Sequence, residues 1–267
     1  MTTEFILAIK KCCAAHKVFI DKYFEPVIGI KTCLERIINL EQIINEILEA
    51  LRKHGSEKNR TGMARFGITT DKAFGVNIPV IRNIAKVYKN EHEIALALWD
   101  TGFHEARLLA VFIDNPKLVT KEQANKWVAG FNSWDICDQC CGNLFDKLPF
   151  ANKLALEWIK DEREYVRRAG FVVFTAQAVH DKKAPNKLFI DFLPYLEKYA
   201  TDERNFVRKA VNWSLRQIGK RNTTLRIQAL ECAERISQIN SKAARWIAAD
   251  AIRELNNEKT ISRIKIG

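Results

Sequence analysis

Nine residues, Asp161-Glu-Arg-Glu-Tyr-Val-Arg-Arg-Ala169, recur as Asp202-Glu-Arg-Asn-Phe-Val-Arg-Lys-Ala210, with six positions identical, at a shift of 41 residues. A period of roughly 40–47 residues is that of HEAT and armadillo helix pairs. Each such unit buries its apolar face only by stacking on its neighbours, so the repeat constrains the architecture more than any composition value. Within the motif the expected roles are an Asp that opens a helix as N-cap, an aromatic and a Val directed into the core, and an Arg facing inward. Ala244-Arg245, 37 residues after Arg208, and Ala106-Arg107 are weaker echoes. The fold expected is all-α: a right-handed α-solenoid of HEAT-like helical repeats with a concave groove.

Composition agrees, since 11 Gly and 6 Pro in 267 residues leave few turns for a many-stranded fold. Leu34, Ile37, Ile38, Ile44, Ile47, Leu48 and Leu51 recur at helical steps and predict a helix that His54 and Gly55 end. Further helices are predicted over Ile78–Lys89, Ile94–Leu98, Glu105–Ile113, Lys121–Phe131, Asp135–Phe145, Lys153–Lys160, Glu164–His180, Leu188–Tyr199, Asn205–Gly219, Leu225–Ile239 and Ser241–Leu255. Residues 1–60 are expected to be an N-terminal extension, either extra helices or a flexible segment, and residues 61–267 the repeat domain. No run approaches the roughly 18 apolar residues of a membrane helix, and Met1–Lys10 lacks a basic n-region, so no membrane partner and a cytoplasmic location are expected. Seven Cys, an odd number with two adjacent pairs, suit reduced thiols better than a disulfide framework.

The net charge of +11 is uneven: residues 61–150 are neutral, whereas residues 151–267 carry 23 basic against 14 acidic side chains. A basic half of this kind is the footprint of a nucleic-acid binder, with an acidic protein or lipid as alternatives on charge alone.

Two clusters could carry chemistry. In Phe131-Asn-Ser-Trp-Asp-Ile-Cys-Asp-Gln-Cys-Cys141, a helix capped by Ser133 puts Trp134 and Asp138 on one face. Cys137-x-x-Cys140-Cys141 lacks the second ligand pair that zinc needs, and His104-Glu105 lacks the second His of a zinc-protease helix, so no metal is expected. No Gly-rich phosphate loop and no nucleophile elbow occurs. The second cluster is Phe206 to Asn222, where Lys209, Trp213, Arg216 and Lys220 fall at helical steps and surround an indole with cations. Cations neutralise phosphates and the indole offers a stacking surface, and Arg168 extends the track by one helix pair.

Met63-Ala-Arg-Phe-Gly-Ile68, Phe74-Gly-Val76, Leu98-Trp99, Glu105-Ala-Arg107, Ser133-Trp-Asp-Ile-Cys-Asp138, Arg168-Ala169 and Lys209-Ala-Val-Asn-Trp-Ser-Leu-Arg216 together resemble, over about residues 61–256, the DNA alkylation repair family of AlkD-like HEAT-repeat DNA glycosylases. The resemblance implies a superhelix whose concave basic groove holds duplex DNA, and excision of N3- and N7-alkylated purines without base flipping. By position it places the catalytic carboxylate on Asp138, the two sugar-contacting tryptophans on Trp134 and Trp213, and the backbone-binding arginine on Arg168. Phe66, Phe206 and Arg216 fall on other groove positions, Phe66 carrying a ring without the hydroxyl that AlkD has there. With Lys209 and Lys220 these residues form the expected DNA contacts.

The implied chemistry has a physical reason. An N3- or N7-alkylpurine already carries positive charge, so its glycosidic bond is weak, and the task is to stabilise the oxocarbenium-like sugar, which a carboxylate and indole faces can do. The expected function is therefore a cofactor-independent, monofunctional DNA-alkylpurine glycosylase acting as a monomer on duplex DNA. The alternatives are a non-catalytic binder of distorted or branched DNA, and a helical scaffold for an acidic protein.

Overall fold

A computed structural model describes residues 28–264 of the chain, with side chains from residue 36. Cys12, Cys13 and Cys33 lie outside these side chains, as does the N-terminal half of the predicted extension. Among the described residues the secondary structure is helical, with no strand. The chain divides into two units, residues 1–49 and 50–267. The first described helix, α1 (Ile28–Lys53), ends in the second unit.

That second unit holds α2 (Glu57–Arg65), α3 (Ile78–Ala85), α4 (His92–Asp100), α5 (His104–Ile113), α6 (Lys121–Ala129), α7 (Trp134–Asn143), α8 (Ala151–Trp158) and α9 (Glu164–His180). It continues with α10 (Asn186–Ile190), α11 (Leu193–Lys198), α12 (Asn205–Gly219), α13 (Thr223–Ser237), α14 (Lys242–Leu255) and α15 (Glu258–Ile261). Helices α5, α7, α9, α12 and α14 pack successively side by side, while α4, α8, α11 and α13 back α5, α9, α12 and α14. This is the stacked two-layer arrangement that the 41-residue shift predicts, and the seam between layers is filled by apolar groups. Trp99 stacks on Trp127 at 4.2 Å and Phe174 on Phe192 at 3.7 Å.

Close approach sets one position in the seam. A Cβ at Gly170 on α9 would lie 2.4 Å from Ile159 Cγ2 and 2.6 Å from the Ala155 carbonyl oxygen, backbone that cannot move aside. Gly170→Ala is therefore expected to destabilise the protein by about 3 kcal/mol, the upper end of the range for overpacking, read as a lowered urea midpoint.

Two local expectations are corrected, and one helix that the sequence does not reveal is added. Asp161 and Asp202 do not cap their helices: Arg163 and Arg204 occupy the N-cap positions. Each Asp instead accepts from the backbone N–H of the Arg two residues on, at 2.8 and 3.1 Å, and pairs with its guanidinium. The Arg163 contacts hold the Asp161 carboxyl down at about 2. The helix predicted over Leu188–Tyr199 is two, because Pro194 near the start of α11 has no N–H to continue the ladder. The polar α2, capped by Ser56, buries none of its residues and so shows no apolar periodicity in the sequence.

Candidate functional site

The N-terminal ends of α7, α9 and α12 lie side by side, and the turn after α2 faces them across a hollow of about 520 Å³. Its lining brings together Phe66, Trp134, Asp138, Arg168, Phe206 and Lys209, six of the residues expected from sequence, with Arg65, Gly67 and Asn205.

Asp138 and Arg168 form the floor. Arg168 Nε and Nη2 each donate to one oxygen of Asp138 at 2.8 Å, and Nη1 donates to the Phe206 carbonyl at 2.6 Å. Such a fork holds the carboxylate in one orientation and at the same time neutralises it. Arg168 is only 5% exposed, so its first role here is to hold Asp138 and the start of α12. Burial pushes the Asp138 carboxyl above the ordinary Asp value, against the pull of the guanidinium; the carboxylate in turn raises Arg168.

Trp134 forms a wall. Its Nε1 donates to the Phe66 carbonyl at 3.0 Å, which ties the turn after α2 to α7, while the Phe66 ring is 71% exposed. Trp134 also lines a larger hollow of about 840 Å³ along α2 that includes Met63, Phe66 and Ile68. Across the first hollow Phe206 packs against Tyr165, ring centroids 5.5 Å apart. Arg65 and Lys209 stand on the rim, both exposed and without an ion pair among the described residues.

The start of α7 is held from below. Ser133 takes the N-cap position, but its hydroxyl donates to Asp135 at 2.7 Å rather than capping. Asp135 also accepts from the Ile136 N–H at 2.9 Å and meets His104 Nε2 at 2.8 Å. Burial would raise the Asp135 carboxyl, but His104, Ser133 and Ile136 outweigh it and leave it below the usual value. A depressed carboxylate contributes stability that is complete above its unfolded pKa of about 3.9 and disappears as pH falls through the lower folded value. Asp135→Asn should therefore flatten the fall in stability below about pH 4, seen in urea midpoints collected against pH.

The remaining predicted residues lie further along α12. Trp213 does not line the hollow; its Nε1 lies 3.1 Å from the Gln217 side-chain oxygen, which also takes Lys220 Nζ at 3.2 Å once the amide is oriented to accept both. Arg216 pairs with Glu254 and lies 3.5 Å from Asp250, and Lys220 pairs with Glu254 at 2.5 Å. Two of the three predicted α12 cations thus share a carboxylate, and Lys209 stands free of one. Arg65 and Gly67 stand within the motif Met63–Ile68 with no role legible from sequence, and the fold brings them to the same hollow as Asp138. Cys137, Cys140, Cys141 and Cys232 are free and buried, and burial pushes Cys232 up to about 12. Among the described residues no group of three or more His, Cys, Asp or Glu is placed to hold a metal ion.

One solved structure, of a new family of proteins related to the HEAT-like repeat DNA glycosylases with affinity for branched DNA structures, matches with a TM-score of 0.68. The match covers 84% of this chain and 97% of the other at 19% identity, a likeness of fold. In sequence, an uncharacterized protein of Listeria innocua serovar 6a is 23% identical over 171 residues, 62% of this chain and 74% of its own length. Residues 47–255 match the model of the DNA alkylation repair enzyme family, and those residues contain the whole hollow from Arg65 to Lys209: the chain belongs to that family.

Proposed function

We propose that this chain is a monofunctional glycosylase that hydrolyses the N-glycosidic bond of cationic N3- and N7-alkylated purines in duplex DNA. The observation that carries the reading is the Asp138 carboxylate, fixed by Arg168 at the floor of a hollow walled by Trp134 and rimmed by the free cations Arg65 and Lys209. The rim cations take phosphates on either side of the lesion, which brings the deoxyribose down to the floor. As the bond to the charged base stretches, positive charge grows on the sugar; Asp138 lies where it stabilises that charge, and the Trp134 face adds to it. Each carboxylate oxygen keeps a lone pair beyond its bond to Arg168, enough to orient the attacking water. The hollow is open, so the sugar can reach Asp138 while the base stays stacked. Trp213, one helical step past Lys209, would meet the flanking sugar by releasing its hydrogen bond to Gln217. The free, buried thiols suit a reducing, cytoplasmic setting.

The test is release of 7-methylguanine and 3-methyladenine from methylated duplex DNA, with strands left intact until alkali is added. A second reading, a non-catalytic binder of branched DNA, draws on the described affinity of the structural relative and on the neutralisation of Asp138 by Arg168. It predicts tighter binding of a four-way junction than of the matching duplex and no base release.

A further inference from the structure

The far end of α12 carries a further hollow, of about 400 Å³, separate from the one over Asp138. Four basic side chains line it: Lys182 after α9, Lys220 and Arg221 at the end of α12, and Arg263 after α15. No carboxylate is in the lining. The amide side chains of Asn186, Gln217 and Asn222 and the apolar Ala178, Val179 and Ala184 complete the wall, so every charged side chain in it is positive.

The site has fixed and free parts. Arg221 is anchored: Nη1 donates to the Ala178 carbonyl at 3.1 Å, Nη2 to the Ala184 carbonyl at 2.8 Å, and its guanidinium lies over the Phe189 ring at 4.7 Å. Lys220 is held through Glu254 and Gln217. Lys182 and Arg263 are exposed and have no ion pair among the described residues. The nearby carboxylates are already engaged, Asp181 with the N–H groups of Lys183 and Ala184, and Glu254 with Arg216 and Lys220. Of these four cations only Lys220 has an ion-pair partner among the described residues, and Lys182 and Arg263 leave positive charge at the mouth that an anion from outside would neutralise.

We propose that this end of α12 is a second phosphate-binding pocket, which takes a phosphodiester of the DNA strand lying along α12 while Lys209 holds another at the near end. The inference rests on the DNA-binding part of the proposed function. Lys209 and Lys220 are eleven residues apart, about 16 Å along a helix axis, or about five base-pair steps of one strand. The pocket therefore sets the direction of the duplex across the helical layer and adds affinity without reading sequence.

The test is a double variant, Lys182→Gln with Arg263→Gln, two exposed positions whose loss leaves packing intact. Its control, Lys86→Gln with Lys117→Gln, removes the same charge from exposed sites outside all three hollows. Duplex binding by fluorescence anisotropy across a salt series should show the pocket variant weakened by roughly tenfold, with its log–log salt slope shallower by about two, while the control follows wild type. Inorganic phosphate should shift the Arg221 side-chain Nε–H signal in wild type and not in the pocket variant. Wild-type affinity and slope in the pocket variant overturn the inference. If wild type itself binds no DNA, the proposed function fails; a phosphate shift at Arg221 that the pocket variant loses then keeps the pocket for another phosphate source, and no shift overturns it too.

Discussion

Asp138→Asn is expected to lower release of 7-methylguanine from methylated duplex DNA by about 10²–10³-fold, the cost of removing one preorganised electrostatic group from a reacting centre. The substitution keeps the side chain's size and one acceptor oxygen while removing the charge that faces the sugar. Binding should change little, because Arg65 and Lys209 on the rim are untouched. It also leaves the Arg168 guanidinium, 5% exposed, without its counter-charge, and breaking a buried pair can cost about 3–5 kcal/mol. Rates therefore need to be compared well below the variant's own melting temperature. A pH profile separates the two effects. Burial raises the Asp138 carboxyl, so the wild-type rate should fall with acid at a pH above the ordinary Asp range, whereas the residual rate of the Asn variant should show no such step. Equal rates for the two proteins, or a common acid limb, would remove Asp138 from the mechanism.

How legible this was in the sequence differs by level. The stacked layers follow from a nine-residue repeat, because a solenoid writes its period into the chain. Roles inside the repeat were less accessible. An Asp before a helix reads as a cap, yet Asp161 and Asp202 lie two residues before the N-cap and turn back on Arg163 and Arg204 instead. The Trp residues divide in a way that composition cannot reveal: Trp99, Trp127 and Trp158 are core, whereas Trp134, Trp213 and Trp246 reach the surface. Helical spacing on α12 finds its cations but not the carboxylate of Glu254 that meets two of them, because that partner arrives from another helix 34 and 38 residues later. Asp138 and Arg168, 30 residues apart, face the same problem; there the resemblance named both residues, and the fold supplied their direct contact.

Glu105→Ala is expected to have a large effect on stability, and through it on the rim of the hollow. Glu105 on α5 is fully buried, and no cation pairs with it among the described residues. Its carboxylate instead accepts three successive backbone N–H groups: Phe74 at 2.9 Å, Gly75 at 2.7 Å and Val76 at 3.2 Å. Alanine leaves those donors without an acceptor, at about 1–3 kcal/mol for each one that water cannot reach. A net loss of about 3–5 kcal/mol follows, a large share of a typical total of about 5–15 kcal/mol. In a unit of this size that is a melting temperature lower by roughly 10 °C. The consequence travels because this loop carries α2, which buries none of its own residues. Ser56 N–H donates to the Phe74 carbonyl at 2.9 Å, Asn59 Nδ2 donates to the Gly75 carbonyl at 3.1 Å, and Gly75, at φ +79°, leaves a Cβ only 2.2 Å from the Ser56 oxygen. Once the clamp is released, α2 loses its mounting, and Arg65 and Phe66 lose their place opposite Asp138. DNA affinity should therefore fall together with stability, and Gly75→Ala should reproduce both losses without touching the carboxylate. Glu105→Gln, which keeps an acceptor oxygen for part of the loop, should fall between Ala and wild type. A Glu105→Ala protein that melts within about 2 °C of wild type would mean that the loop and α2 hold without the clamp.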